Sequence, residues 1–335
     1  MEKTKNGLFD SFARKTTYLR LSVTDRCDLR CTYCMSEKMQ FLPRSNVLSF
    51  EEMYRLCLIF MKNGVRKIRI TGGEPLVRKY IISFFQMLSP HLKNGDLDEM
   101  TLTTNGTLLG KYAKDLFEAG VRRVNVSLDT LDVDRYKQVT RIGDLEKVLN
   151  GIEAALDAGL KIKLNAVAMR GAFEDELDEL MRFAHSKNMD LTLIEEMPLG
   201  IDGFDRKNTH LPLDELRKTI EEKYALSPIA LSTGGPAKYV RVEETGGRLG
   251  FITPMSCDFC SSCNRVRIGC TGKLFTCMGL EGSVDLLEPL RNQVRDEDLE
   301  NLIKETIMNK PKGHNFAILN DGVRGIKRNM SELGG

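Results

Sequence analysis

The sequence contains no tryptophan, only 4 histidines and no long hydrophobic run. Its longest purely apolar stretch, residues 56–61, is far shorter than the ~20 residues that a membrane-spanning helix requires. We therefore expect no membrane span. The first part of the chain also lacks the apolar segment of a secretory signal, which favours the cytoplasm. Because 49 Lys and Arg residues nearly balance 47 Asp and Glu residues, the net charge of +2 excludes a general attraction to nucleic acid or membrane surfaces.

The cysteine content is the most unusual feature, since 9 cysteines occur in 335 residues. Thiols in the reducing cytoplasm rarely form disulfides, so these residues favour metal ligation or redox chemistry. The chain length suits one α/β barrel, which typically takes about 250 residues, with an appended segment.

Residues 17–195 alternate strand-like and helix-like runs, the pattern of parallel strands joined by crossover helices. The predicted strands cover residues 17–23, 67–71, 100–103, 123–127, 161–168 and 190–195. Helices are predicted over 81–88, 111–119, 146–158 and 175–187, and another begins after Ser49, where Glu52 completes a capping box. Pro and Gly residues punctuate residues 196–250, which predicts a loop-rich extension.

The predicted strands have one apolar and one polar face, because alternate side chains point to opposite sides. Ile68 and Ile70 share a face, for example, whereas Lys67 and Arg69 share the other. A closed barrel fills its interior with Val, Ile and Leu, so the polar face predicts an incomplete (β/α)6 TIM-like barrel around a cavity, in the α/β class. An antiparallel sheet with one solvated face is the alternative.

Cys27, Cys31 and Cys34 form a C-x3-C-x2-C group directly after the first predicted strand. A loop in that position lies at the carboxyl end of the strand, which is the active-site face of such barrels. Structural zinc sites and ferredoxin clusters use four ligands, and no fourth partner is close in the sequence. Three thiolates on a four-iron cluster leave one iron open to a small molecule, so we interpret the missing ligand as the site itself.

With Tyr33 before the last cysteine, this group resembles the signature of the radical S-adenosylmethionine (radical SAM) superfamily. In that superfamily the open iron of a 4Fe-4S cluster chelates SAM, and the reduced cluster cleaves SAM to a 5′-deoxyadenosyl radical. The sequence GGEP at residues 72–75, after the second strand, matches a second motif of the superfamily. The resemblance implies SAM contacts at Tyr33, Gly73, Glu74, Ser127 and Met197.

A second cysteine group lies near the C-terminus. It consists of Cys257, Cys260, Cys263, Cys270 and Cys277. Spacing alone is compatible with a zinc ribbon or with a second iron-sulfur cluster.

The wider sequence resembles the molybdenum cofactor biosynthesis protein A family, the GTP 3′,8-cyclases, over essentially the whole chain. The resemblance rests on FCSSCNRVRI, YLRLSVTDRC, RITGGEPL, LTTNG, NVSLD, TGGPAKYVRV, LGFIT and the terminal Gly-Gly. It implies that Cys260, Cys263 and Cys277 hold a second 4Fe-4S cluster whose open iron binds the guanine of the substrate. Residues 1–195 would then form a radical SAM partial barrel, and residues 196–335 a C-terminal extension with the auxiliary cluster, substrate contacts and the Gly-Gly tail.

The sequence has no P-loop, so cationic side chains must bind a nucleoside triphosphate. The resemblance implies GTP contacts at Arg20, Arg69, Thr103, Lys163, Arg265, Val266 and Arg267, with Lys67 as a helper, and catalytic support from Gly334 and Gly335. It implies radical cyclisation of GTP to 3′,8-cyclo-7,8-dihydro-GTP, with SAM as cosubstrate, in molybdenum cofactor biosynthesis. The implied partners are a reducing electron donor, a second copy in a homodimer, and the cyclic pyranopterin monophosphate synthase that receives the product.

Two features depart from the family pattern. Cys257 and Cys270 are extra thiols close enough to compete as cluster ligands, and Thr192 replaces an Arg thought to hold the SAM carboxylate. Two other functions stay open at this point. A peptide-modifying radical SAM maturase would share the barrel and both cysteine groups, and a zinc-binding regulator would share the second group alone.

Overall fold

The computed structural model describes residues 7–200, 206–256, 259–314, 316–319, 322–326, 328 and 330–334. Cys257 and Gly335, both identified from the sequence, lie outside the described residues. Within the described part of the chain, no helix is long and apolar enough to cross a membrane.

The strands follow the chain as β1 (Leu8–Phe9), β2 (Lys15–Thr16), β3 (Tyr18–Ser22), β4 (Lys67–Thr71), β5 (Glu99–Thr104), β6 (Arg123–Ser127), β7 (Lys161–Ala168), β8 (Asp190–Glu195), β9 (Leu226–Pro228), β10 (Lys238–Val242), β11 (Arg248–Ile252), β12 (Arg265–Ile268), β13 (Lys273–Phe275), β14 (Val284–Asp285), β15 (Ala317–Leu319) and β16 (Gly322–Arg324). All six predicted strands are present as β3 to β8. The bounds of β4, β6, β7 and β8 are the predicted ones, and those of β3 and β5 differ by one residue at each end.

Among the described residues, 12 strands form one mixed sheet in the order β14-β13-β12-β3-β4-β5-β6-β7-β8-β11-β10-β9. Strands β3 to β8 are parallel neighbours, as predicted. The two edge strands β14 and β9 do not pair with each other, so the barrel is open. This confirms the predicted incomplete barrel.

The C-terminal segment adds strands to both edges of the predicted barrel. Strand β12 pairs in parallel with β3, and β11 pairs in parallel with β8. Beyond them, β13 and β10 pair antiparallel with their neighbours. The sequence analysis does not predict these pairings, because the added strands are short and their partners are distant in the chain.

The helices are α1 (Phe50–Lys62), α2 (Ile81–Lys93), α3 (Leu109–Glu118), α4 (Val133–Thr140), α5 (Leu145–Asp157), α6 (Ala172–Ser186), α7 (Arg206–Thr209), α8 (Leu213–Glu221), α9 (Leu287–Arg291), α10 (Asp296–Met308) and α11 (Met330–Leu333). The predicted capping box of α1 is present, since Glu52 N donates to Ser49 Oγ at 3.1 Å and Ser49 N donates to the Glu52 carboxylate at 2.7 Å. Helix α4 was not predicted.

The apolar strand faces pack into the main core beneath the helices. Ile68, Ile70, Val124 and Val126 are fully buried there. Burial of this face leaves the polar alternate residues on the inner side of the open barrel, so strand periodicity fixes which side chains can line a cavity.

Helices α3 and α5 approach closely where two glycines meet. The Cα of Gly151 in α5 lies 3.6 Å from the position that a Cβ on Gly110 in α3 would take. A Cβ on Gly151 would lie only 2.6 Å from the backbone oxygen of Gly106, which cannot rotate away as a side chain could. The contact therefore requires glycine at position 151 but tolerates a methyl group at position 110.

Gly151→Ala should lower the free energy of unfolding although alanine is the better helix former. The helix-propensity gain is about 1 kcal/mol, whereas overpacking against fixed backbone costs about 1–3 kcal/mol. Gly110→Ala is the matched control, because it brings the same propensity gain with ordinary contacts. Urea unfolding of both variants under anaerobic conditions measures the difference, and equal stabilities would contradict the close packing at Gly151.

Candidate active site

One cavity occupies the inner side of the open barrel, and the polar strand faces form its wall. It brings together most of the residues identified from the sequence. The predicted site residues that line it are Cys27, Cys31, Tyr33, Cys34, Arg20, Arg69, Gly73, Thr103, Ser127, Lys163, Met197, Cys260, Cys263, Arg265, Val266, Arg267 and Cys277. Glu74 and Gly334 are predicted site residues that do not line it in the described part of the chain.

The two cysteine groups lie at opposite ends of this cavity. Cys27 follows the carboxyl end of β3, whereas Cys263 precedes the amino end of β12, which runs parallel to β3. Strand β13 is antiparallel to β12, so Cys277 after β13 returns to the same end as Cys263. The pairing of β12 with β3 thus makes one chamber with a thiol group at each mouth.

The loop of the first cysteine group is fixed to the end of β5. Asn105 Nδ2 donates to the Asp28 carboxylate at 2.7 Å, and Thr107 Oγ1 donates to its other oxygen at 2.5 Å. On the other side of the loop, Arg141 Nη1 donates to the carbonyl of Arg30 at 2.8 Å. These bonds fix the position of the cysteine loop against the end of β5 and the end of α4.

The thiols of the first group are held in a poorly solvated place. Burial raises the pKa of Cys27 to about 12 and that of Cys31 well above its ordinary value. Among the described residues, no three Cys, His, Asp or Glu side chains converge on a point that one metal ion could occupy. Each thiolate of an iron-sulfur cluster binds its own iron, so three cysteines that face one cavity suit such a cluster.

Tyr33 is oriented by Asp129, a residue that the sequence analysis did not identify. The Tyr33 hydroxyl donates to Asp129 Oδ2 at 2.7 Å, and Val167 N donates to Oδ1 at 2.8 Å. Burial and the neighbouring Asp129 carboxylate raise the pKa of Tyr33 well above its ordinary value, so the phenol stays a donor. The bond fixes the Tyr33 ring in the cavity wall.

Glu74, in the second superfamily motif, is fully buried at the ends of β4 and β5 and does not line the cavity in the described part of the chain. Its carboxylate accepts hydrogen bonds from Leu76 N at 3.0 Å, Thr104 Oγ1 at 2.8 Å and Asn105 N at 2.7 Å. Burial raises the pKa of this carboxyl to about 7. These bonds hold the Gly73 turn against the end of β5, and a SAM contact in this motif stays a prediction.

The extra thiol Cys270 lies apart from the second cysteine group. It is buried and does not line the cavity, whereas Cys260, Cys263 and Cys277 do. Burial raises the pKa of Cys270 to about 12. Within the described residues, the second group therefore consists of the three cysteines expected from the family pattern.

Lys310 is a buried cation at the second group that the sequence analysis missed. Its Nζ donates to the carbonyl oxygens of Cys263 at 2.9 Å and Arg265 at 2.8 Å, and lies 3.4 Å from Cys263 Sγ. Burial alone would raise the pKa of Cys263, but Arg265 and Lys310 lower it to about 7. A thiol held this way is ready to bind metal as a thiolate.

Arg14 holds the loop that carries Lys310. Its Nη1 donates to the carbonyls of Cys260 and Lys312, each at 2.7 Å, while its Nε pairs with Asp10 at 2.6 Å. No motif surrounds Arg14 or Lys310 in the sequence, so only the tertiary structure reveals their place beside the cysteines.

Three arginines on neighbouring strands form a cationic wall. Arg267, Arg20 and Arg69 are in register across β12, β3 and β4. Burial, Arg267 and Arg69 lower the pKa of Arg20 well below its ordinary value, and burial and Arg265 lower that of Arg267 to about 10. Buried charges of one sign repel each other, so this wall is suited to an anionic ligand.

Val266 and Lys67, also expected near the nucleotide, do not present a cationic side chain to the cavity as the wall does. Val266 is buried in the main core, so only its backbone can reach the cavity. Lys67 pairs with Glu99 at 2.5 Å and donates to the carbonyl of Thr233 at 2.6 Å. Lys67 therefore already has protein partners, and its role as a helper stays a prediction.

Lys163 lies on β7, which pairs with β8, the strand that carries Thr192. Its Nζ donates to the Tyr239 hydroxyl at 2.9 Å. Burial and Arg69 lower the pKa of Lys163 well below its ordinary value. A Cβ on Gly250 would lie 2.8 Å from the Tyr239 ring and 2.9 Å from Thr192 Oγ1, so the ring fills the space beside the threonine.

The C-terminal tail docks against the cationic wall. Arg20 Nη2 donates to the carbonyl of Gly334 at 3.2 Å, and Arg267 Nη1 donates to that of Leu333 at 3.2 Å. Leu333 is fully buried with Leu199 and Phe275 in a small separate core. Gly334 has φ +77° and a Cβ there would collide with Thr71 Oγ1, so glycine is required.

Residues 21–184 match the Radical SAM superfamily, and residues 189–316 match Molybdenum Cofactor Synthesis C. Curated relatives named GTP 3′,8-cyclase align with nearly the whole chain. One from Sinorhizobium medicae (strain WSM419) is 53% identical over 100% of this chain and 96% of its own length. One from Mesorhizobium japonicum is 54% identical over 98% of this chain and 100% of its own length.

Among solved structures, the chain resembles Streptococcus suis SuiB bound to S-adenosylmethionine, with a TM-score of 0.61 over 90% of this chain and 73% of that one. At 15% identity this likeness shows the fold alone. The full-length relatives, by contrast, confirm the family resemblance predicted from the sequence.

Lys310→Met should lower the metal content of the second cysteine group and leave the first intact. Removing the ammonium leaves the carbonyls of Cys263 and Arg265 without their donor and the Cys263 thiolate without a counter-charge. If each site takes a four-iron cluster, iron should fall from about eight per chain toward about four.

Lys304→Met is the control, because Lys304 pairs with Glu300 at 2.5 Å on the outer helix α10. Iron and sulfide analysis with electron paramagnetic resonance of the anaerobic proteins checks the result. Full occupancy of both clusters in Lys310→Met, with an unchanged spectrum, would contradict this role.

Proposed function

Because this chain belongs to the GTP 3′,8-cyclase family, we propose that the cavity between its two cysteine groups is where GTP is converted to 3′,8-cyclo-7,8-dihydro-GTP. The chain is a radical SAM enzyme of molybdenum cofactor biosynthesis. The observation that carries the site assignment is the joining, in one cavity, of two three-thiol groups and a wall of buried cations.

Two 4Fe-4S clusters fit the two thiol groups. We assign Cys27, Cys31 and Cys34 to the SAM cluster, and Cys260, Cys263 and Cys277 to the auxiliary cluster. When bound, the clusters supply the reductive cleavage of SAM at one mouth and an open iron for the guanine at the other. Binding releases the protons that the buried thiols otherwise retain, so cluster loading should favour alkaline pH.

SAM is assigned to the mouth formed by the first cysteine loop. Tyr33, fixed by Asp129, would lie against the adenine, while Gly73, Ser127 and Met197 complete the contacts. The Gly73 amide donates to the Thr24 carbonyl at 2.7 Å, which holds it against the segment that leads into this loop. These parts position SAM so that its reactive carbon points into the chamber.

GTP is assigned to the middle of the chamber, with its triphosphate on the cationic wall. Arg20, Arg69 and Arg267 have the donor geometry that phosphate oxygens require, and Arg265 and Lys163 add charge at the ends of the wall. An anionic ligand would relieve the repulsion among these buried cations. Thr103 and the Val266 backbone are the remaining proposed contacts.

The protein's main contribution is to hold both substrates in one enclosed place. Two freely diffusing reactants must lose translational and rotational entropy to react. Here that entropy is lost on binding, so it no longer contributes to the barrier of the chemical step. The tail carbonyls on Arg20 and Arg267 close one side of the cationic wall, and they support a role for Gly334 in shielding the reaction. The same role for Gly335 is a proposal that rests on the sequence.

Several partners belong to the same proposal. A low-potential electron donor must reach the SAM cluster, and the cyclic nucleotide would pass to a cyclic pyranopterin monophosphate synthase. We also propose a homodimer, in keeping with the family resemblance, and the reducing cytoplasm as the compartment that keeps these thiols available for iron.

The function is tested by incubating reduced protein with SAM and GTP. The product has the composition of GTP, because the hydrogen lost from C3′ is balanced by one electron and one proton added to the guanine. Chromatographic separation must therefore precede mass analysis. The proposal predicts the cyclic isomer together with 5′-deoxyadenosine, and deoxyadenosine without any GTP-derived product would contradict it.

Cys31→Ala and Cys263→Ala should separate the two ends of the chamber. Cys31→Ala should abolish SAM cleavage, because the first group loses a cluster ligand. Cys263→Ala should retain reductive SAM cleavage but make little cyclic product. Quantifying deoxyadenosine and cyclic nucleotide in the same reactions checks both expectations. Unchanged product formation in Cys263→Ala would show that another ligand, such as Cys257, substitutes for Cys263.

Gly334→Ala should strongly lower the yield of cyclic product. Alanine is strained at the positive φ of this position, and its Cβ would collide with Thr71. Both effects would displace the tail from Arg20 and Arg267, while the first cysteine loop stays unchanged. Gly282→Ala is the matched control, because a Cβ there meets no atom within 4 Å. Cluster content and SAM cleavage should persist in both variants, and equal product yields would exclude a role of the tail.

A further inference from the structure

Asn125 is a buried amide in the cavity wall to which neither the sequence analysis nor the proposed function gives a role. It lies in the middle of β6 and lines the cavity, yet its side chain is fully buried. Within the described residues, neither Nδ2 nor Oδ1 has a hydrogen-bond partner. An amide left unpaired in a protein interior is unfavourable, and native proteins rarely keep one without a reason.

The neighbours of Asn125 on the outer face of β6 are apolar, as expected for residues that only pack in the core. Val124 and Val126 flank Asn125 and are fully buried in the main core with no polar atom to satisfy. An apolar residue at position 125 would avoid the unpaired amide. The polar group is therefore explained by a ligand and not by packing.

Its neighbours indicate which ligand. Strand register places Asn125 between Thr103 of β5 and Lys163 of β7, both proposed GTP contacts. Ser127, a proposed SAM contact, is two residues further along the same inner face. Asn125 thus lies between the two mouths of the chamber. In the proposed binding mode, with guanine at the auxiliary cluster and C3′ facing SAM, the sugar of GTP would lie at this depth.

The chemistry of the amide fits the sugar, since the guanine, which also offers a donor and an acceptor, is assigned to the auxiliary cluster. A carboxamide has a donor and an acceptor side by side, and a ribose diol offers both in return. Phosphate oxygens only accept, and the Arg side chains already supply donors for them. We propose that Asn125 binds the ribose diol of GTP and so helps to aim C3′ at SAM. This proposal rests on the proposed function and adds a specificity residue to it.

Asn125→Leu tests the assignment, with 2′-deoxy-GTP as the probe of the diol. Binding of GTP, 2′-deoxy-GTP and SAM is measured by calorimetry on anaerobic, cluster-loaded protein without reductant, so that no turnover occurs. The unsubstituted protein should prefer GTP over 2′-deoxy-GTP. Asn125→Leu should bind GTP about tenfold more weakly, the effect of losing one buried hydrogen bond. Its preference for GTP over 2′-deoxy-GTP should fall toward one.

The thermal midpoint of Asn125→Leu distinguishes a binding role from a structural one, because loss of a structural residue would lower it. Replacing an unpaired amide by an apolar side chain of similar size should leave the thermal midpoint unchanged or raise it. Asn63→Leu is the control, since Asn63 is also buried but its Nδ2 donates to the Ile59 carbonyl at 2.9 Å. This control should lower the thermal midpoint and keep the GTP preference.

Three outcomes would overturn the proposal. If Asn125→Leu keeps the preference for GTP over 2′-deoxy-GTP, the diol contact is excluded. If SAM binding weakens while GTP binding is intact, the contact is to the SAM ribose. If the thermal midpoint falls while nucleotide binding is intact, Asn125 is structural. Asn125→Ala is measured in the same way should the leucine variant fail to fold. If the unsubstituted protein binds GTP but forms no cyclic product, the proposed function fails while the binding comparison still decides the role of Asn125.

Discussion

The structure depends on a group of positive charges that the open barrel keeps away from water. Arg267, Arg20 and Arg69 lie side by side on three strands, and burial and mutual repulsion lower the pKa of Arg20 and Arg267. A closed barrel filled with Val, Ile and Leu has a packed interior with no space for an anion inside it. The interior must therefore stay open, and the free energy of folding must come from the core between strands and helices.

The same constraint explains why the cysteine groups lie at opposite ends of the cavity. In the proposed binding mode, a nucleotide with its triphosphate on the cationic wall would extend along the strands, with its base toward the auxiliary cluster and its C3′ toward SAM. Strand β12 carries Arg265 and Arg267 and also follows Cys263, so one strand connects the auxiliary site with the phosphate site. Lys310 binds the carbonyls at this junction. A zinc-binding regulator would need neither the cationic wall nor the second mouth.

Local pattern predicted the parts of the site that lie on regular strands or in short motifs. Alternation placed Arg69 and Lys163 on the inner face, and cysteine spacing identified both thiol groups. Glu74 follows the end of β4, where alternation no longer fixes side-chain direction, so the hydrogen bonds that its carboxylate accepts could not be predicted from the sequence. Asp129 and Lys310 were missed because their partners are distant in sequence. Pairing of β12 with β3 was missed for the same reason.

Along each inner strand, residues that pack in the core therefore alternate with residues that face the cavity. In β6, Val124 and Val126 contribute to the core, while Asn125 and Ser127 face the cavity. Unpaired polar atoms also occur at Thr103 and Asn165 on the neighbouring strands, so the inner face as a whole is less stable than an apolar one. A bound ligand can satisfy these polar atoms. The inner face therefore contributes less to the free energy of folding but can bind a substrate. The apolar outer face of the same strands compensates, because it packs into the main core.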